Sequence, residues 1–141
     1  MTGLRNKLHR NDSYNSDWWS IDLPVGWVRR EDQECTTFTS TSSPGVLQVS
    51  AARKPNGAVS VEDLQDFASD FVNGTGSFKA IGSGATSGIT SESVQNGRYW
   101  KKWWLKKGST IVFLTYNIAE ESKGEDWVAI DRMVSTVTIH E

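Results

Sequence analysis

Apolar and polar residues alternate from Trp18 to Leu23 as in a half-buried strand, Pro24 and Gly26 supply a turn, and Trp27-Val28 begins the return. Further strands are predicted over Thr36 to Thr39 and Val46 to Ala52. In the second of these Leu47, Val49 and Ala51 share the core side, and Val46, Gln48 and Ser50 face the other way. Residues 1 to 16 are polar and aperiodic, which predicts a flexible N-terminal arm or irregular lead-in before a single domain spanning 17 to 141.

The pattern changes period after Ser60. Leu64, Phe67, Ala68, Phe71 and Val72 recur at i, i+3, i+4, i+7 and i+8, the stripe of an amphipathic helix. Ser60 with Asp63 resembles a capping box at its start, and Gly74 stops it after Asn73. Glu62, Asp66 and Asp70 form an acidic row that reads as a solvated face. A second helix is expected after Ser122, whose partner three residues on, Glu125, completes a capping-box spacing; its apolar positions are Trp127, Ile130, Met133 and Val134. A β-branched strand, Thr136 to Ile139, closes the chain.

Asn96-Gly97 separates two strand-like runs, Ile89 to Gln95 and Arg98 to Lys106, as in a two-residue hairpin whose positive φ angles Asn and Gly tolerate. That register sets Val94 opposite Tyr99, Ser93 opposite Trp100 and Glu92 opposite Lys101, an opposite-charge pair. A four-residue loop, Lys106 to Ser109, then pairs Leu105 with Thr110, Trp103 with Val112 and Tyr99 with Tyr116. The meander has two faces. Val94, Tyr99, Trp103, Leu105, Val112, Leu114 and Tyr116 belong to the core side. Arg98, Trp100, Lys102 and Trp104 lie on the other, with Ile111, Phe113 and Asn117, and mix rings with cations. Antiparallel strands with two inserted helices make an α+β domain, an antiparallel β-sheet flanked by two main helices.

Composition sharpens this picture in two places. Seven Trp among fifteen aromatics, in a chain only 37% hydrophobic, means that large rings carry an unusual share of the burial. Fifteen basic against seventeen acidic side chains leave a net charge of −2, which argues against attachment to nucleic acid or membrane by overall electrostatics. No apolar run reaches membrane-spanning length. One cysteine, Cys35, forms no internal disulfide, and no apolar stretch follows the basic start, so the expected compartment is the cytoplasm.

Candidate chemistry is sparse. His9 and His140 stand at opposite ends of the chain with no nucleophile elbow between them, and Cys35 has no neighbouring His or Lys to activate it, so it reads as a small half-buried residue. Two histidines and one cysteine without short spacing make no zinc set. Glu31, Asp32 and Glu34 lack the alternating oxygens and central Gly of a calcium loop, leaving a solvated turn. Gly82-x-Gly84 with Gly88 has neither phosphate-loop spacing nor a following helix, and predicts a glycine-softened connection or strand. No catalytic residue, metal or cofactor is expected.

With this order of segments the chain resembles the PsbP-like fold superfamily. The residues that carry the resemblance are Ile21-Asp22-Leu23-Pro24-Val25-Gly26-Trp27, Val61-Glu62-Asp63-Leu64, Thr115-Tyr116 and Asp131-Arg132-Met133-Val134-Ser135, across residues 18 to 140. The superfamily includes an extrinsic photosystem subunit, a Ran-binding nuclear-import factor family and bacterial proteins of uncharacterised or adaptor-chaperone type. The resemblance implies an antiparallel sheet flanked by helices and a largely non-catalytic role. One bacterial branch similar in size and segment order serves as adaptor chaperones for type VI secretion effectors. A photosystem role implies export to a lumen, for which no targeting segment is seen, and no Ran-binding motif is found.

The expected function is therefore a non-enzymatic interaction or adaptor domain that binds a protein partner, or a second copy of itself in a homodimer. Arg98, Trp100, Lys102 and Trp104 are the candidate contact residues. The same rings and cations would suit single-stranded nucleic acid, but the near-neutral charge disfavours it. The competing readings are that a helix covers this face, the C-terminal one through Trp127 and Ile130, or that a Trp-lined pocket between sheet and helix binds a small ligand.

Overall fold

The structure, a computed structural model, describes residues 12–69, 79–83 and 86–140. The expectations placed on residues 1 to 11, on Asp70, Phe71, Val72 and Gly74, and on Gly84 lie outside those residues. In chain order the described elements are β1 (Asp12–Asn15), β2 (Trp19–Leu23), β3 (Trp27–Glu31), β4 (Thr36–Ser40), β5 (Ser43–Arg53), α1 (Val61–Ser69), β6 (Lys79–Ser83), β7 (Thr86–Gln95), β8 (Arg98–Lys107), β9 (Thr110–Ala119), a 3-10 turn (Glu120–Ser122), α2 (Trp127–Ser135) and β10 (Thr138–Ile139). This is an α+β fold.

The hairpin of β7 and β8 forms as its turn residues dictate. Asn96 and Gly97 have φ of 54° and 77°, and Val94, Ser93 and Glu92 stand opposite Tyr99, Trp100 and Lys101. The next hairpin differs from expectation. Its loop is the pair Gly108-Ser109, with positive φ at Gly108 alone, so β8 runs on through Lys107 before turning while β9 begins at Thr110 as expected. Leu105 therefore faces Val112, Trp103 faces Leu114 and Tyr99 faces Ile118. A slip of two keeps every side chain on its expected face.

The strands divide between two antiparallel sheets, one in the order β1-β2-β10 and one in the order β3-β4-β5-β9-β8-β7-β6. The turn at Pro24-Gly26 is a corner between them rather than a hairpin. Trp27 N–H bonds to the Pro24 carbonyl at 3.2 Å, Gly26 takes φ 92°, and β3 then pairs with β4, not with β2. β1 corrects the expectation of an irregular lead-in over residues 12 to 15: Tyr14 pairs with Ile21, and its ring packs at 5.2 Å from that of Trp19. The closing strand is shorter than expected, because Thr136 caps α2, and it pairs with β2.

The main core lies between the two sheets. Trp19, Ile21, Leu23 and Ile139 from the small sheet meet Phe38, Leu47, Leu114 and Tyr116 from the large one, and Ile130 and Met133 of α2 close the end. Val94 points to this side but lies beyond the core and is 49% exposed, which corrects its assignment to the core. The other face of the large sheet carries a smaller cluster in which Val59, Leu64 and Ala68 cover Ile89 and Trp104. Ser60 and Asp63 form a reciprocal capping box at the start of α1: Asp63 N–H donates to the Ser60 hydroxyl at 3.0 Å, and Ser60 N–H donates to the Asp63 carboxylate at 2.9 Å.

The second capping box does not form. Ser122 ends the 3-10 turn, its carbonyl accepting from Glu125 N–H, and α2 begins after Asp126. Asp126 turns its carboxylate inward instead. It accepts from the Ser43 hydroxyl at 2.6 Å and the Tyr116 hydroxyl at 3.0 Å, tying the start of α2 to β5 and β9.

Candidate functional site

Side chains on β8 alternate between the faces, so Arg98, Trp100, Lys102 and Trp104 all leave the sheet on the side away from the main core. They do not form one exposed surface. Trp104 is 0% exposed, stacked on Phe113 with ring centroids 5.2 Å apart and planes 19° apart. Phe67 of α1 meets Phe113 edge-on at 6.0 Å. Trp104 is therefore core, and its assignment as a contact residue is corrected. The helix that covers it is α1, not the C-terminal helix, whose Trp127 instead packs near Tyr99 on the opposite face. Trp104 and Phe113 pack in the space between sheet and α1, where the alternative reading placed a Trp-lined ligand pocket.

α1 covers only the end of β8 that carries Trp104. Arg98, Trp100 and Lys102 are half-buried, beside Asn117 and Thr115 of β9 and Gln48 of β5. Arg98 donates from Nε and Nη2 to Asn117 Oδ1 at 3.1 and 2.7 Å, which fixes its guanidinium on the sheet. Lys102 Nζ stands 5.5 Å from the centre of the Trp100 ring. Partial burial pulls the Lys102 ammonium below the usual lysine range, by desolvation. Trp100, Lys102, Phe113, Thr115 and Gln48 surround a shallow hollow of about 260 Å³ that reaches Cys35. The arrangement offers a ring face, a cation and amide and hydroxyl groups at a fixed spacing.

A second hollow, of about 410 Å³, opens on the other side of Cys35, between the Asp32–Cys35 loop and Trp18-Trp19. Sequence reasoning missed it, because it arises where segments far apart in the chain end beside one another. The Asp32–Cys35 loop is the solvated turn expected: the Asp32 carboxylate accepts from Glu34 N–H at 2.9 Å and Cys35 N–H at 3.0 Å. Those two bonds hold its pKa below the ordinary aspartate value. Cys35 is half-buried, its Sγ 3.9 Å from Thr37 Oγ1. Arg53 lies over the Trp18 ring at 4.6 Å and reaches the His140 carbonyl at 3.4 Å.

On the core side, burial raises the phenol pKa of both Tyr99 and Tyr116. Glu92 adds to the effect at Tyr99, and the hydrogen bond to Asp126 adds at Tyr116. Both phenols stay protonated at neutral pH. Among the described residues, no group of three or more His, Cys, Asp or Glu side chains is placed to hold a metal ion, and no helix is long and apolar enough to cross a membrane.

No protein-family model and no curated protein sequence matches the chain. Solved structures do. The cyanobacterial PsbP (CyanoP) solution structure from Synechocystis sp. PCC 6803 aligns over 92% of both chains with TM-score 0.54 at 11% identity. The fold is PsbP-like. LpqN, described as involved in cell envelope biogenesis of Mycobacterium tuberculosis, aligns over 98% of this chain and 97% of its own, with TM-score 0.61 at 12% identity. A crystal structure from Bacteroides thetaiotaomicron VPI-5482 gives TM-score 0.63 at 18% identity over 92% of this chain, which spans 48% of that one. At these identities the likeness is one of PsbP-like architecture, and it assigns no activity.

Proposed function

We propose that this PsbP-like domain is a non-enzymatic adaptor or chaperone-like module that binds a protein partner through the half-buried part of the large sheet around Trp100, with Arg98, Trp100 and Lys102 as contact residues. The observation that carries the reading is the placement of Trp100: a large ring left half-buried on a rigid strand, beside a cation and next to a hollow that a partner side chain would fill. Trp and Arg are the residue types that most often anchor protein interfaces, and a ring on a central strand loses little entropy on binding. Its structural neighbours in cyanobacteria and mycobacteria lend support at the level of fold, since neither is described as an enzyme.

Placing the photoreactive residue p-benzoylphenylalanine at position 100 tests this in extracts of the native host, with the same residue at Val128, which is 73% exposed on α2, as control. The expected result is a discrete adduct from position 100 only, suppressed by excess wild-type protein but not by excess Trp100→Ala. Adducts of equal yield and pattern from both positions, or equal suppression by both competitors, overturn the reading.

A further inference from the structure

β5 outlasts its neighbour. β4 begins at Thr36, opposite Val49, whereas β5 continues through Ser50, Ala51 and Ala52 to Arg53. On the β9 side those residues pair with Phe113, Val112, Ile111 and Thr110. On the β4 side the chain has turned away into the Asp32–Cys35 loop, and among the described residues no backbone group takes its place. In an antiparallel strand alternate residues direct both N–H and C=O to each side. The Ser50–Arg53 stretch thus presents an open ladder inside the sheet, at a gap in the row of β4.

The two hollows flank this gap. Ser50, Val49 and Cys35 border both of them. On the core side of the sheet lies the hollow with Trp18, edged by Asp17, Asp32 and Glu34; on the outer side lies the one with Trp100, Phe113 and Lys102. Asp17 and Glu34 are exposed and have no ion-pair partner among the described residues. A strand lying in the gap would send successive side chains alternately into one hollow and the other. Main-chain bonds with alternating side-chain pockets are the physical components of peptide recognition by strand addition.

We infer that the gap beside Ser50–Arg53 accepts a short extended segment of a partner protein, which adds to β5 in the row of β4 and places a basic side chain among Asp17, Asp32 and Glu34 and an apolar one against Trp100 and Phe113. The inference rests on the reading of the chain as a protein-binding domain and specifies what part of the partner is bound. The basic residue follows from charge complementarity with the acidic rim, and the apolar one from the rings on the other side. The Asp32–Cys35 loop and Trp18 bound the slot at its ends, so the segment is only a few residues long.

Four fluorescein-labelled tetrapeptides, matched in length to Ser50–Arg53, test it on the full chain. One alternates arginine and valine, one alternates glutamate and valine, and two repeat the first with N-methyl groups on every arginine or on every valine. Strand addition requires the N–H groups of one alternate set only. The expected result is that one N-methylated peptide binds about tenfold or more weakly than the parent while the other is little changed, and that the glutamate peptide binds about tenfold or more weakly. Asp17→Lys combined with Glu34→Lys, with circular dichroism verifying the fold, is expected to abolish the preference for the basic peptide. Equal binding of the two N-methylated peptides, equal binding of the acidic and basic peptides, or no binding of any at about 1 mM overturns the inference. The two readings fail separately: a partner adduct from position 100 without peptide binding rejects strand addition alone, and N-methyl-sensitive binding unaffected by Trp100→Ala rejects the role of the Trp100 surface.

Discussion

Tyr116 donates its hydroxyl to the Asp126 carboxylate at 3.0 Å, and this bond joins the centre of the large sheet to the first turn of α2. Asp126 is buried and also accepts from Ser43. Gly45 passes so close that a Cβ there would meet both the Asp126 carboxylate and the Tyr116 ring.

Replacing Asp126 by Ala leaves the buried Tyr116 hydroxyl and the half-buried Ser43 hydroxyl without their acceptor. The expected loss is about 3 kcal/mol, since hydrogen bonds to a carboxylate exceed neutral ones and orphaned buried donors add a desolvation cost. Asp126→Asn keeps one acceptor oxygen and should lose less. Urea unfolding of the three proteins checks the order, and an Ala variant as stable as wild type would contradict it.

Trp104 and Trp100 make opposite predictions although they sit four residues apart on the same face. Trp104→Ala opens a void among Phe113, Leu64 and Ile89, with an expected cost of about 3–5 kcal/mol. Trp100→Ala removes a half-exposed ring and should cost about 1 kcal/mol or less while weakening partner binding by about 2 kcal/mol or more. Thermal unfolding of the two variants separates core from surface, and similar losses in both would reject the division.

The difference between these two rings marks the limit of what the sequence discloses. Alternation along Arg98 to Lys107 puts both on one face, and the Asn96-Gly97 turn sets the register opposite Ser93 and Ile89, because both signals act between near neighbours. Which helix covers which half of the face depends on a crossover from β5 through α1 to β6, and nothing in the period of either segment encodes it. The same reasoning explains the corner at Gly26. A tight turn after an alternating strand is locally compatible with a hairpin, and only the pairing of Trp27 with Ser40 shows that the chain changes sheets. Ser122 and Glu125 have capping-box spacing, yet the helix starts later because the buried acceptor duty of Asp126 fixes where the chain must turn. The candidate surface was legible as a strand face in Arg98, Trp100 and Lys102. The open end of β5 was not, since it follows from the unequal lengths of two paired strands.

Gly88 is required by close approach rather than by backbone conformation. A Cβ at this position would run into the carbonyl of Trp104 on the neighbouring strand, so Gly88→Ala must push β7 from β8. The expected cost is about 2 kcal/mol or more. Gly82 on β6, where a Cβ meets nothing within 4 Å, provides the comparison: Gly82→Ala should change stability by about 0.5 kcal/mol or less. Equal effects in denaturant titrations would remove the structural explanation for this glycine-rich stretch.

Asp63 gives the acid limb of the stability profile a specific origin. Lys54 Nζ lies 2.8 Å from its carboxylate and Ser60 N–H donates to the same oxygen, which lowers the pKa from 3.8 to about 2 in the folded chain. A carboxyl whose folded pKa is depressed contributes stability above its unfolded value, and the contribution disappears as pH falls through the folded one. The advantage of wild type over Asp63→Asn should therefore be constant above about pH 5, shrink from about pH 4 downward and vanish only below about pH 2. Unfolding midpoints of the two proteins across that range test it. A difference that stays constant down to about pH 2 would show that the capping geometry, not the charge shared with Lys54, accounts for the role of Asp63.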